Sequence, residues 1–118
     1  MLKTKAVERY LGQATQSGVK AVLLFDQNGK IVARSGHQPT DSINAVFTAK
    51  LWDSFDRQGA RDRLKEMVLH YKEFTILAAK AANMTIAMIA APDHPMAICR
   101  AKLIQLVEDL REPLAVLG

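Results

Sequence analysis

The stretch Val19–Phe25 constrains the fold more than any other part of this 118-residue chain. Six of its seven residues are apolar and only Lys20 is charged, so the alternation typical of a strand with one solvated face is missing. A strand of this kind is covered on both faces. Asn28-Gly29 then tolerates the positive φ angles of a tight turn, and residues 30–33 resume an extended pattern. The sequence therefore predicts a β-hairpin with other parts of the fold packed on both sides of its sheet.

Helical periodicity marks the two ends of the chain. Apolar residues recur at helical spacing from Leu2 to Ala14, which predicts a first helix over residues 2–16 with Gly18 as its stop. A last helix is expected to start at Pro95, and Pro113 is expected to end or kink it. The apolar face of this last helix carries Met96, Cys99, Leu103, Leu106, Val107 and Leu110.

Three further strands are predicted before the last helix, over residues 67–71, 74–79 and 84–89. The alanines around residues 78–82 also permit helix, but the turn signals at Lys72-Glu73 and Ala82-Asn83 fall at the spacing of a meander. The order is then helix, two strands, helix, three strands, helix. This order predicts an α+β sandwich in which helices cover a five-stranded antiparallel sheet.

The middle helix, predicted from Asp41 to residue 55 or 58, has two apolar stripes. The first stripe consists of Ile43, Phe47, Leu51 and Phe55, and the second consists of Ala45, Ala49 and Trp52. A helix with two apolar sides buries two faces, one against its own sheet and one against a partner. Periodicity alone leaves open which stripe faces inward, and Trp52 fits either a core or an interface anchor.

Chemistry-bearing motifs are absent from the sequence. Cys99 lies on an apolar helix stripe, where a small buried hydrophobe is expected. The three histidines, His37, His70 and His94, are dispersed, and the glycines form no phosphate-binding loop. We therefore expect no catalytic residues, no cofactor and no metal site, and we expect that the protein is not an enzyme.

Composition points to a cytosolic protein without nucleic-acid binding. Hydrophobic residues make up 49% and charged residues 24% of the chain, as in ordinary globular proteins. The net charge is +4, but the basic residues are mostly interspersed with acids rather than clustered. No secretory signal, membrane span or lipidation motif is recognisable, so any membrane association is expected to be indirect.

Several segments together resemble the Roadblock family, and within it the Roadblock subunits of Ragulator-type complexes. One is the helix followed by the hairpin of residues 19–36. The others are Met1-Leu2-Lys3, Leu51-Trp52 with residues 55–59, and Ala101-Lys102 leading to residues 110–114. They occur in the same order and span nearly the whole chain, which predicts a single Roadblock-like domain over residues 1–118.

The resemblance implies a specific arrangement and specific partners. The first and last helices would lie on one face of the sheet and the middle helix on the other, and pairing would use the middle helix and third strand. The residues expected at this interface are Ile43, Phe47, Leu51, Phe55, Met67, Leu69 and Tyr71. The implied partners are a second, different Roadblock chain, a lipidated anchor subunit and Rag-type GTPases. The implied location is the cytosolic face of late endosomes, lysosomes or vacuoles, in TOR and MAP-kinase signalling.

Two alternatives within the same family remain open at the level of sequence. The first alternative is a homodimeric regulator that stimulates a small GTPase, and the second is a light chain of dynein. Both reuse the same fold, so fold alone does not separate them from a scaffold subunit.

Overall fold

The computed structural model describes residues 4–15, 18–57 and 65–117, with side chains to residue 115. Along the chain the elements are α1 (Thr4–Gly12), β1 (Val19–Phe25), β2 (Ile31–Gly36), α2 (Asp41–Arg57), β3 (Glu66–His70), β4 (Thr75–Ala81), β5 (Met84–Ala90) and α3 (Met96–Leu117).

The five strands form one sheet in the order β2-β1-β5-β4-β3, and every neighbouring pair is antiparallel. The hairpins β1–β2, β3–β4 and β4–β5 are local, whereas β1 and β5 pair across most of the chain. This pairing places β1 inside the sheet and leaves β2 and β3 at its two edges. The predicted α+β fold with a five-stranded antiparallel sheet is confirmed.

Two separate apolar cores lie on opposite faces of the sheet. The α1/α3 core joins residues of those two helices to alternate sheet residues, among them Val22, Leu24 and Met88. The α2 core joins that helix to the intervening residues, among them Leu23 and Phe25. The apolar run of β1 contributes to both cores, which is why alternation is missing from its sequence. The predicted placement of first and last helices on one face, and of the middle helix on the other, is therefore confirmed.

The turn between β1 and β2 is fixed by its own side chain and by α2. The Asp26 carboxylate accepts hydrogen bonds from the backbone N–H groups of Asn28 at 2.9 Å and Lys30 at 3.0 Å. Gly29 has a φ of +84°, and a Cβ there would lie 2.5 Å from the Cα of Val46. A glycine is required because α2 packs directly against this turn.

Several element ends differ from the predictions. β2 continues to Gly36 because its last residues still pair with β1, Ser35 opposite Val22. α3 passes through Pro113 to residue 117. Burial of Leu114 in the α1/α3 core offsets the hydrogen bond that the proline removes. The first helix was predicted too long: α1 ends at Gly12, and residues 13–15 follow as a turn. The predicted start of this helix at Leu2 and the predicted stop of the middle helix at Gly59 lie outside the described residues.

Candidate protein interface

The inward side of α2 is formed by its small apolar residues and its tryptophan. Ala45 and Ala49 are buried in the α2 core, and Trp52 is only 2% exposed. Two alanines one turn apart allow the helix to approach the sheet closely, and the indole fills the remaining volume. This stripe is therefore the inward stripe of α2, a point that periodicity left open.

A buried carboxylate fixes the start of α2 against the edge of the sheet. Asp41 is 1% exposed and accepts hydrogen bonds from the Gln38 backbone N–H at 2.8 Å and from the guanidinium of Arg34. Arg34 belongs to β2, so the ion pair ties the first turn of the helix to that strand. The carboxylate at a helix N-terminus also interacts favourably with the helix dipole. These contacts set the rotation with which α2 lies on the sheet.

The opposite side of α2 leaves large apolar side chains in solvent. Ile43 is 69% exposed, Phe47 is 47% exposed and Phe55 is 49% exposed, with Val46 exposed beside them. Nine large hydrophobic residues are exposed in the described part of the chain, and these four are on one helix. We call the surface of Ile43, Phe47 and Phe55 the α2 outer face. A concentration of this kind typically marks an interaction surface.

The predicted interface residues in and just after β3 differ in how deeply they are buried. Met67 is buried in the α2 core, and Leu69 is half-buried against it. Tyr71, just after β3, is exposed and packs against Phe74 with ring centroids 4.9 Å apart. Met67 therefore belongs to the core of its own chain and is not free to anchor a partner.

Leu51 and Val68 differ in burial and in the face on which they lie. Leu51 is half-buried at the flank of α2, next to the same core as Leu69. Val68 is exposed on the other face of the sheet and was missed as an interface candidate. The signal for it was the alternation of β3, in which Val68 necessarily points away from the side of Met67 and Leu69.

The two sheet edges differ in how their backbones are covered. At the β2 edge, the Arg34 backbone N–H donates a hydrogen bond to the Glu8 carboxylate of α1 at 3.3 Å. At the β3 edge, Tyr71 N–H bonds to the Phe74 carbonyl, so the register leaves the backbone groups of Val68 and His70 pointing away from β4. Residues 4–15, 18–57 and 65–117 provide no hydrogen bond to those outward groups. β3 is therefore an open edge over Val68 and His70, and an open edge is a template for pairing with another strand.

Two ionisable groups in the described part of the chain have shifted pKa values. Burial raises the pKa of the Cys99 thiol, and Lys102 acts weakly in the other direction. Burial lowers the pKa of Lys80, whose Nζ lies 5.4 Å from the Trp52 ring centroid. Among the described residues, no three histidine, cysteine or acidic side chains come together as a metal site. Nor is any helix of the described chain long and apolar enough to cross a membrane.

Solved structures share this fold. A Roadblock/LC7 domain from Streptomyces avermitilis superposes with a TM-score of 0.76 at 16% identity, covering 92% of this chain and 95% of that domain. MglB of Myxococcus xanthus gives a TM-score of 0.84 at 12% identity, covering 100% of this chain and 96% of that one. At these identities the likeness shows the fold alone.

Sequence similarity decides the family. The chain is 31% identical over 118 residues to the Ragulator complex protein LAMTOR2 homolog of Caenorhabditis elegans, covering 97% of this chain and 94% of that protein. The chain belongs to the Roadblock family. No family model matches it. The resemblance of this Roadblock chain to Ragulator subunits, first seen in short segments, thus extends over nearly its whole length.

Proposed function

We propose that this Roadblock chain is a non-enzymatic adaptor that pairs with a second, different Roadblock chain in a Ragulator-like complex. The observation that carries the proposal is the apolar α2 outer face beside the open edge of β3. The Ragulator complex protein of Caenorhabditis elegans, similar over nearly the full length, supports the assembly.

Both the side chains and the backbone of this surface favour pairing. Half-exposed Phe47 and Phe55 offer aromatic anchors, since aromatic residues contribute strongly when a partner excludes water around them. The outward backbone groups of Val68 and His70 offer hydrogen bonds that continue the sheet into the partner. Together they would bury about 800 Å² on each chain, the size of a specific interface.

The same features support an adaptor rather than an enzyme. Among the described residues, His70 Nδ1 lies 3.4 Å from the Thr75 hydroxyl, and the hydrogen bonds described there include no third group that would orient this pair for catalysis. The function of such a chain is to hold other proteins in a fixed arrangement.

In the proposed complex, the Roadblock pair helps to anchor Rag-type GTPases at the late-endosomal, lysosomal or vacuolar surface. Attachment to the membrane comes through a lipidated anchor subunit, which makes this chain a peripheral component. The pair thereby takes part in TOR and MAP-kinase signalling.

Pulldown of the tagged chain followed by mass spectrometry tests this proposal. We expect recovery of a second Roadblock chain together with Rag-type GTPases and a lipidated subunit. Recovery of none of these, with a stable homodimer in light scattering, would contradict the proposal. That outcome would favour a homodimeric regulator of a small GTPase.

Phe47→Asp tests the surface itself. Because Phe47 is half-exposed in the chain alone, the charge should leave the monomer folded yet abolish capture of the second Roadblock chain. Ile98→Asp is the matched control, since Ile98 is equally exposed but lies on α3, across the sheet. Circular dichroism melting checks the fold of both variants. Unchanged capture by Phe47→Asp would place the interface elsewhere.

A further inference from the structure

A cleft lies at the end of the sheet that carries the β1–β2 and β4–β5 turns. Its volume is about 790 Å³, which is within the range of small-ligand sites in proteins. Four elements supply most of its walls: the second half of α2, the start of β3, the end of β4 and the middle of α3. A smaller cleft of about 300 Å³, lined mainly by α2, shares Trp52 and Lys80 with it.

At this end of the sheet, β3 does not cover the whole of β4. Glu66, the first residue of β3, pairs with Ala79, so Lys80 has no partner within β3. Because bonding directions alternate along an antiparallel strand, the N–H and C=O groups of Lys80 point toward the β3 side, where the cleft lies. Lys65, which precedes β3, makes no backbone hydrogen bond to them. Within the described part of the chain, the amide of Lys80 is therefore an unpaired donor at the cleft.

The side chain of Lys80 brings a half-buried ammonium group to the same place. Its Nζ lies 5.4 Å from the centroid of the Trp52 ring, a contact between a cation and an aromatic face. In the part of the chain that the structure describes, Lys80 belongs to no ion pair. Burial lowers the pKa of Lys80, and the more distant carboxylates of Asp56 and Asp53 do not offset this effect. A partly desolvated cation in a cleft, with no counter-ion in contact, is a candidate ligand-binding group.

The other charged residues of the larger cleft nearly balance. Four basic and three acidic residues line it, so one positive charge is in excess. The Arg100 Nε–H donates to both oxygens of the Glu66 carboxylate, at 3.0 and 3.1 Å. The remaining charges besides Lys80 belong to exposed side chains, which water and salt screen. Lys80 is therefore the charged residue of the cleft that gains most from an anionic ligand.

We propose that this cleft binds a small organic anion whose carboxylate or phosphate group contacts the ammonium of Lys80. Carboxylates and phosphates both accept charge-assisted hydrogen bonds from an ammonium, so the anionic group is the chemistry that they share. The cleft is larger than an acid group alone requires, and Ile104 of α3, 44% exposed, adds an apolar wall. The proposal goes beyond the adaptor function and does not depend on the α2 outer face.

A titration followed by the nuclear magnetic resonance signal of the Trp52 indole N–H tests the proposal. Trp52 is the only tryptophan of the chain, so the spectrum contains one indole signal, from a side chain that lines the cleft. Three probes that share a phenyl ring are added at constant ionic strength: phenyl phosphate, benzoate and uncharged benzyl alcohol. We expect at least one of the two anions to shift the signal to saturation, with a dissociation constant of about 10 mM or tighter. Benzyl alcohol should not reach saturation over the same range.

Substitutions of Lys80 separate its charge from its apolar stem. Lys80→Met removes the charge and should weaken binding about tenfold, because a charge-assisted hydrogen bond is lost. Lys80→Arg keeps the charge and should retain binding. Lys72→Met, the matched control, makes the same change in the β3–β4 turn at the opposite end of the sheet and should bind like wild type. Circular dichroism melting checks that each variant is folded.

The two anions also identify the class of ligand. Saturation by phenyl phosphate alone would assign phosphate esters, saturation by benzoate alone would assign carboxylates, and either result supports the proposal. The proposal is overturned if neither anion saturates, if benzyl alcohol binds as tightly as the anions, or if folded Lys80→Met keeps the affinity of wild type. The comparison of the anions with benzyl alcohol uses wild type only, so it holds even where a variant fails to fold.

Discussion

Trp52 and Phe55 lie three residues apart on α2, yet their surroundings differ. Trp52 is inside the α2 core, whereas half of Phe55 is in solvent near the end of the helix. Both are large aromatic residues in an apolar stripe, so sequence periodicity treats them alike. Only the rotation of the helix, which Asp41 helps to fix, assigns one to the core and the other to the surface.

Truncation of the two aromatic residues should therefore have unequal effects on stability. Trp52→Ala removes a fully buried side chain and is expected to lower the free energy of unfolding by about 3–5 kcal/mol. Phe55→Ala, the matched control, should lower it by less than about 1 kcal/mol. Urea denaturation of the monomer measures both. Equal losses would mean that the helix is rotated differently.

Cys99 links burial to the pH dependence of stability. Because burial raises the pKa of its thiol, the folded chain keeps the proton at pH values where the unfolded thiol, with a pKa of about 8.5, ionises. The resulting stabilisation is complete below the pKa that the Cys99 thiol has in the unfolded chain. It is lost as the pH rises through the higher pKa that the thiol has in the folded chain.

The stability advantage of wild type over Cys99→Ala should consequently shrink as the pH is raised above about 8.5. Urea denaturation at a series of pH values from neutral to alkaline measures the difference, and the alanine variant corrects for all other titrating groups. A constant difference over this range would show that the thiol titrates alike in both states.

At the scale of elements, β3 combines a buried face with an unpaired edge. Its inward residues Met67 and Leu69 attach it to the α2 core, while the backbone of Val68 points outward. The strand is thus held firmly by its own chain and still has hydrogen-bonding groups for another. At the edge formed by β2, one outward group, the backbone N–H of Arg34, is already bonded to Glu8 of α1.

Proline substitutions along β3 separate folding from pairing. Val68→Pro removes an outward N–H and should leave the monomer folded while preventing edge-to-edge pairing, because proline is tolerated at strand edges. Leu69→Pro, the control one residue away, removes an N–H that bonds to β4 and should destabilise the monomer by about 3 kcal/mol or more. Thermal melting and capture of the second Roadblock chain read out the two effects. Normal capture by Val68→Pro would exclude β3 as the pairing edge.

At the scale of the whole molecule, the apolar run of β1 predicted the layered fold correctly because burial on two faces leaves a clear pattern in sequence. The inward stripe of α2 was not predictable in this way, since Ala45 and Ile43 are both apolar and differ only in how closely they let the helix approach the sheet. The resemblance implied an interface role for the third strand as a whole and so included Met67, which is buried in the α2 core. Alternation alone does not tell which face of an edge strand packs on a core. The interface role of the remaining candidates, Ile43 and Phe47 among them, stays a prediction.

Amide hydrogen exchange tests most directly the central claim that the chain pairs through the α2 outer face and the β3 edge. The experiment compares the chain alone with the chain bound to the second Roadblock protein that it captures. We predict new amide protection at Val68 and His70 of β3, where the backbone is open in the single chain, together with slower exchange along α2. The amides of β2 should exchange at the same rate in both samples. Protection that appears at β2 or α3 and leaves β3 unchanged would contradict pairing through the α2 outer face and the β3 edge.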